Sequence, residues 1–173
     1  MRFAVAAVFL SAWPAIVRAD VATIDNLAAL MQSESLAAVV TVTQPIICVE
    51  DATDAARQFC QAEFDAEGMK ITMAVQSVRN SRDVATVAIF NANSAMDDDL
   101  ISQRRSIAHF VIAGALIQAL NPELKVQDRA KLLDKVMRKL NQDSDVKSGR
   151  WFYFATSTIL NAFGARRSDQ PRP

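Results

Sequence analysis

The sequence predicts an α+β fold, in which a small antiparallel sheet of about four to five strands packs against two long helices, with shorter helices near the N-terminus. Three observations carry this prediction: two β-rich runs around a short polar stretch, two consecutive long helical patterns, and an aromatic, β-branched run near the C-terminus. The hairpin and the paired helices interrupt the alternation of strand and helix that a parallel βαβ fold requires. An antiparallel sheet with its helices on one face is therefore the favoured architecture.

The first nineteen residues have the pattern of a cleaved secretory signal. Met1 and Arg2 give a positive start, residues 3–17 form an apolar run, and the stretch from Val17 to Ala19 fits the small-x-small cleavage pattern. The apolar run is short for a bilayer span, so we expect the cleaved product to be periplasmic or secreted and not membrane-spanning. The expected division is a signal peptide over 1–19, a single α+β domain over 20–167 and a flexible tail over 168–173.

The beginning of the predicted domain contains a helix and a strand. Thr23 is a suitable N-cap for a short helix that runs from Ile24 through Met31. Val, Ile and Thr then dominate residues 36–49, which predicts the first strand. Pro45 lacks a backbone N–H and therefore places this strand at an edge or a bend of the sheet.

The next stretch predicts a second helix followed by a hairpin. Apolar residues recur at helical spacing between Ala56 and Phe64, which indicates a helix over 51–67 that ends at Gly68. Residues 71–78 and 84–90 are alternating or β-rich and flank a polar stretch of hairpin length. We therefore expect these two runs to pair as antiparallel strands.

The C-terminal half predicts the two long helices and the last strands. Residues 100–120 carry apolar side chains at helical spacing and few charges, which is typical of a buried central helix. Asn121 as cap and Pro122 at the first helical position predict a second helix over 122–141. Residues 150–159 are dense in aromatic and β-branched side chains and predict a central strand, which 160–165 either continue or return beside.

Cys48 and Cys60 are the two cysteines of the chain, and an oxidising compartment would pair them. Their spacing is not the Cys-x-x-Cys arrangement of a redox site, so we predict a structural disulfide. It would close a loop of 11 intervening residues, which contributes on the order of 3 kcal/mol in the chain-entropy description. The bridge would tie the predicted second helix to the end of the first strand.

The net charge of zero hides a strong asymmetry along the chain. Residues 20–99 contain 4 basic and 13 acidic side chains, whereas residues 100–173 contain 13 basic and 6 acidic ones. In one interpretation the two halves pack together and their fields partly cancel. In the other, separate acidic and basic faces persist, which would steer a charged partner or favour head-to-tail association.

Candidate catalytic groups are few. His109 is the one histidine and lies inside the apolar helix, so a packing role is favoured over a Ser-His-Asp or Cys-His mechanism. Asp97, Asp98 and Asp99 precede that helix and suit capping better than calcium binding, because the spaced ligands and glycine of an EF-hand loop are missing. A further group of carboxylates is expected to form a solvated face of the predicted second helix: Asp51, Asp54, Glu63, Asp65 and Glu67. We predict no catalytic residues, no metal and no cofactor.

Two groups of side chains are candidates for binding. A basic stripe on the second long helix comprises Lys131, Lys135, Arg138 and Lys139. A solvated helix face is the favoured explanation, and the alternative is a site for an acidic protein or another anionic surface. Nucleic acid is not the expected partner of an exported chain of near-neutral isoelectric point. Trp151, Tyr153 and Phe110 could line a ligand pocket between the aromatic strand and the long helices, although core packing is the favoured explanation of the aromatic strand.

These patterns favour an exported, non-catalytic interaction protein of the cell envelope, such as an inhibitor, an immunity-type protein or an accessory assembly factor. The expected partner is another envelope or secreted protein. A periplasmic small-ligand binder that uses the aromatic pocket is the alternative, and an enzyme working through carboxylates is the third interpretation.

Overall fold

The structure, a computed structural model, describes residues 22–92, 99–140, 142, 144–157 and 160–169, without the side chains of 92, 99–102, 157 and 160. The predicted signal segment, Asp97 and Asp98 lie outside the described residues. The elements in chain order are α1 (Ile24–Met31), α2 (Glu34–Ala37), β1 (Thr41–Glu50), β2 (Arg57–Ala66), β3 (Met69–Val78), β4 (Val84–Ala92), α3 (Asp99–Leu120), α4 (Val126–Met137), β5 (Val146–Ser148), β6 (Trp151–Ser157) and β7 (Leu160–Arg167).

All seven strands form one antiparallel sheet in the order β1-β2-β3-β4-β7-β6-β5. The first four strands follow one another as a meander, and the last three form a second meander. The two meanders meet where β4 pairs with β7, from Thr86 opposite Arg166 to Ala92 opposite Leu160. The predicted α+β class is confirmed, but the sheet is larger than expected because the sequence analysis missed β2 and β5.

The predicted helix over 51–67 is wrong, because most of this stretch is strand β2. Alternate side chains of β2 are buried: Cys60, Ala62, Phe64 and Ala66. A few apolar residues can satisfy both a helical and a strand period over so short a segment. The strand forms because β3 pairs with β2 along its whole length, which supplies partners for its backbone groups.

The other predicted elements agree with the structure in type and differ in their bounds, but the aromatic strand, predicted to be central, is β6, which lies next to the terminal strand β5. The hairpin is β3 and β4, the long central helix is α3, and the segment after the aromatic strand returns beside it as β7. The second long helix begins at Val126 instead of Pro122. Asn121 does not cap it, because the Asn121 side-chain amide donates instead to the Tyr153 hydroxyl.

The core lies between the helices and one face of the sheet. α3 supplies most of the helical contribution to the core through small and branched side chains: Ala108, Ile112, Ala113, Ala115, Leu116, Ile117 and Leu120. Phe64, Tyr153 and Phe163 are the largest side chains that are completely buried there, and Trp151 is nearly so. Ile107, which the helical pattern placed inside, is instead 39% exposed.

The predicted disulfide is present and joins Cys48 to Cys60. These residues lie directly opposite each other on β1 and β2, so the bridge links two strands and not a strand and a helix. Cys60 is fully buried, whereas Cys48 lies at the margin of the core. The bridge therefore holds the outermost strand of the sheet to its neighbour.

Pro45 occupies the position that its missing N–H requires. β1 is the terminal strand of the sheet, as predicted, and its register with β2 shifts between Val42 and Gln44 and again between Gln44 and Ile47. Edge position and bulges are the two places where a strand tolerates proline. Regular pairing resumes at Ile47 and continues to Glu50.

Candidate interaction surfaces

The strand order places the strands of the acidic half of the chain on one side of the sheet and those of the basic half on the other. β1 to β4 belong to the acidic half of the chain and occupy one end of the sheet, whereas β5 to β7 belong to the basic half and occupy the other. α4 contacts β5 and β6, so its lysines and arginines lie at the same end as the basic strands. Within the sheet the two halves therefore meet along one strand pair, whereas α3 of the basic half also packs against α1, α2 and β2 of the acidic half.

Ion pairs in the acidic half form mainly within that half. All four basic side chains of residues 20–99 pair there with carboxylates: Arg57 with Asp54, Lys70 with Glu63, Arg79 with Glu50, and Arg82 with Asp25. Pairs within the basic half include Lys131–Asp128, Arg138–Asp134, Arg166–Asp145 and Arg167–Asp169. Arg104 pairs with Glu67 across the halves at 3.1 Å. Most ion pairs therefore form within one half, while Arg104 and Arg105 of α3 bring basic charge to Glu67 of the acidic half.

The basic stripe lies on the solvent side of α4 and in the turn that follows it. Arg138 donates to Asp134 at 2.8 Å, and Lys131 lies 3.6 Å from Asp128, so two of the four cations have a carboxylate one turn away. Lys135 and Lys139 have no ion-pair partner among the described residues. Lys135, which is exposed, and Lys139, which is half-buried, are therefore the two cations of the stripe whose charge no neighbouring carboxylate offsets.

Large apolar side chains are exposed mainly at the opposite end of the sheet. Of the five large hydrophobic residues found exposed in the described part of the chain, four lie on β1 and β2: Val42, Ile47, Val49 and Phe59. Sequence reasoning missed this surface because it placed Phe59 on a helix and the others in a half-buried strand. The signal available in the sequence was the alternation of apolar side chains along β1, a strand that Pro45 places at an edge or a bend.

The predicted acidic cluster is dispersed over turns and strand faces. Glu63 pairs with Lys70 and Glu67 with Arg104, while Asp65 accepts from the backbone N–H of Gly68 at 3.1 Å. Asp51 accepts from both the hydroxyl and the backbone N–H of Thr53, and these bonds lower the pKa of Asp51. Within the described residues, no group of three or more His, Cys, Asp or Glu side chains is arranged to hold a metal ion.

His109 lies on α3 and is mostly covered by its surroundings. Burial lowers its pKa from the usual 6.5 to about 4, so the imidazole is neutral at neutral pH. Its Nδ1 atom has no hydrogen-bond partner in the described parts of the structure. These properties match the predicted packing role, and no nucleophile or carboxylate partner is found beside the ring there.

The aromatic strand divides its side chains between two faces. Trp151 and Tyr153 are buried in the core, and Phe110 packs against that core from α3. Burial raises the pKa of Tyr153, and the Glu123 carboxylate adds to this effect, so the phenol stays protonated. Phe152 points to the other face, where the Arg166 guanidinium lies 4.6 Å from its ring centroid. The proposed pocket residues are thus part of the packed interior.

Gly164 on β7 is required by the aromatic ring beside it. A Cβ atom there would lie 2.8 Å from the Val87 carbonyl oxygen and 2.5 Å from the Cζ atom of Phe154. Both distances are shorter than real carbon contacts, and the carbonyl cannot move without disturbing β4. The ring of Phe154 therefore lies over Gly164, beside the β4–β7 pair where the two meanders meet.

Arg129 on α4 is a buried cation that was not predicted from the sequence. Arg129 is 8% exposed, on the sheet-facing side of α4 with Leu132, Leu133 and Val136. Its Nε and Nη1 atoms have no partner among the described residues, and burial lowers its pKa. The sequence of this helix contains no signal that distinguishes the buried Arg129 from the solvated cations around it.

No helix in the described ranges is long and apolar enough to cross a membrane. Comparison of the chain with protein-family models, with curated proteins and with solved structures found no match.

Proposed function

We propose that this chain is an exported, non-catalytic interaction protein of the cell envelope, and that it binds an acidic partner protein through the basic stripe on α4. The observation that carries this proposal is the separation of charge between the two ends of the sheet. Separated fields of this kind accelerate association with a complementary partner and disfavour wrong partners. The Cys48–Cys60 disulfide is compatible with the oxidising compartment that the proposal requires.

Within the stripe, Lys135 and Lys139 are expected to contribute most to binding. Lys131 and Arg138 already have exposed carboxylate neighbours in Asp128 and Asp134, which reduce the field that a partner experiences. Exposed ion pairs contribute little to the stability of the protein itself, about 0–1 kcal/mol. Substitutions in the stripe can therefore change binding without unfolding α4.

The test is affinity capture from an envelope extract with the protein tagged at its C-terminus, at low and at high salt. The Lys135→Glu/Lys139→Glu variant removes the two unpaired cations. Arg79→Glu/Arg82→Glu is the matched control, because it makes the same change of net charge in the turn between β3 and β4, within the acidic half of the chain.

We expect one partner to be retained by the wild type and by the control variant at low salt. It should be lost with Lys135→Glu/Lys139→Glu, and lost at 1 M salt, where screening acts within about 3 Å. A partner retained equally by all three proteins would contradict the role of the basic stripe. Retention that does not respond to salt would contradict the electrostatic basis of the proposal.

The small-ligand alternative receives less support from the geometry. Trp151 and Tyr153 are buried members of the hydrophobic core, which accounts for them without a ligand. No described feature therefore favours ligand binding over protein binding.

A further inference from the structure

The open edge of β1 presents free backbone groups. β1 is the terminal strand of the sheet and pairs with β2 on one side. Asp51 donates its N–H to the carbonyl of Arg57 across the pair, so odd-numbered residues of this stretch bond to β2. The N–H and C=O groups of Cys48 and Glu50, two positions apart, therefore point away from β2 and toward the edge.

Apolar side chains flank these groups on the sheet face that does not contact the helices. Ile47 and Val49 lie on this face, and Val49 is directly opposite Phe59 of β2. The three side chains are exposed to 53%, 60% and 43% respectively. Contiguous exposed apolar side chains of this size are characteristic of interaction sites.

Carboxylates lie at both ends of this apolar stretch. Glu50 and Asp51 follow it, and at the other end Glu63 and Asp65 of β2 lie opposite Gln44 and Thr41. β1 itself contains no lysine or arginine, although lysine is the usual protection of an edge strand against pairing. Glu50 and Glu63 are paired with Arg79 and Lys70, so Asp51 and Asp65 supply the surplus negative charge that is complementary to a basic segment.

We propose that β1 is a docking edge for an extended segment of a partner protein, which adds to the sheet as an eighth strand. The side chains of that segment on the open face are apolar at its centre, against Val49 and Ile47, and Lys or Arg at its ends. Pro45 and the two register shifts confine regular pairing to the Ile47–Glu50 stretch. The disulfide holds this stretch to β2, which lowers the ordering cost of binding.

This edge lies at the opposite end of the sheet from the basic stripe and goes beyond the proposed function. The two surfaces use different residues and opposite charges. Loss of binding at one of them consequently leaves the other intact, and each proposal can fail alone.

The first test uses a fluorescent peptide of sequence Lys-Thr-Val-Thr-Ile-Thr-Lys and measures its anisotropy with the full chain. The wild type should bind it, and the peptide with Glu in place of both Lys should bind at least about tenfold more weakly. Val49→Lys should weaken binding by a similar factor. Ile107→Lys, which changes an exposed apolar residue on α3, is the matched control and should have no effect.

The second test distinguishes strand addition from simple apolar adhesion. Glu50→Pro and Glu50→Gln both remove the carboxylate that pairs with Arg79, but only proline removes the edge-facing N–H. Proline at this position leaves the bonds between β1 and β2 in place, so the fold should be retained, which circular dichroism checks. We expect Glu50→Pro to bind the peptide at least about fivefold more weakly than Glu50→Gln.

Three results would overturn the proposal. The first is no binding of the basic peptide by the wild type at about 1 mM. The second is equal affinity of the wild type, Val49→Lys and Glu50→Pro. The third is a wild-type dimer in sedimentation velocity that Val49→Lys converts to a monomer, because a second copy would then be the occupant of the edge.

Discussion

The two edges of the sheet are built differently. β1 is a strand of 10 residues with exposed apolar side chains and acidic surroundings, and a disulfide fastens it to β2. β5 has 3 residues, lies against α4 and has basic surroundings. Proteins protect their edge strands by shortening, by covering or by charge. The β5 edge uses all three devices, whereas the β1 edge relies on bulges and a proline, which leaves four residues able to pair.

The largest expected effect is a loss of stability on substitution of β2, the strand next to β1, and it should differ between the two faces of β2. Phe64→Ala should lower the free energy of unfolding by about 3–5 kcal/mol, because Phe64 is fully buried in the core. Phe59→Ala on the other face should cost about 1 kcal/mol or less. Urea unfolding followed by circular dichroism measures both, and equal costs would contradict the assignment of Phe59 to an open surface.

The disulfide should account for the next largest effect. Cys48→Ala/Cys60→Ala should lower the free energy of unfolding by about 3 kcal/mol, because the unfolded chain regains the freedom of the closed loop. The measurement is again urea unfolding, with and without a reductant. The reductant should destabilise the wild type and leave the double variant unchanged; an equal response of both proteins would show that the bridge does not form.

His109 should make the free energy of unfolding depend on pH. It lies on α3, which follows β4 and precedes α4 in the chain. Its pKa in the folded protein is about 4, below the usual 6.5, so the unfolded chain binds more protons between these values. This contribution is complete above pH 6.5 and is lost as the pH falls toward 4, by up to about 3 kcal/mol. His109→Leu should show a weaker decline over that range, and identical slopes would contradict the burial of the ring.

The smallest effect compares single cations at the two ends. Asp134→Asn frees Arg138 in the basic stripe, and Asp25→Asn frees Arg82 at the acidic end, with the same change of net charge. Each should alter the free energy of unfolding by about 0.5 kcal/mol or less. On a cation-exchange column Asp134→Asn should elute at the higher salt concentration. Coincident elution would argue against separated charge.

Long, regular patterns predicted the fold best. The hairpin, α3 and the disulfide partners could all be predicted from the sequence, because each depends on residues close in sequence or on a single possible pairing. β2 was not, since its apolar side chains satisfy two periodicities and only the pairing with β3 decides between them. β5 has 3 residues and no pattern long enough to detect.

The candidate surfaces depended on information that the sequence lacks. The composition predicted the charge asymmetry, but its persistence in space follows from the strand order, which no local pattern encodes. Asn121 reads as a helix cap until Tyr153 is placed beside it. Arg129 differs from Lys131 only in the direction of its side chain around α4, and the packing of that helix on β5 and β6 sets this direction.

The central position of β7 has a consequence for how the chain folds. β7 is synthesised after every other described strand, yet it inserts between β4 and β6. Until β7 is made, β4 has no partner on its inner side. The pairing of Ala92 with Leu160 then brings together residues that two helices and two strands separate along the chain. Such distant pairing is entropically costly and slow. Completion of the sheet should therefore be a late step, during which β4 is the segment most vulnerable to wrong partners.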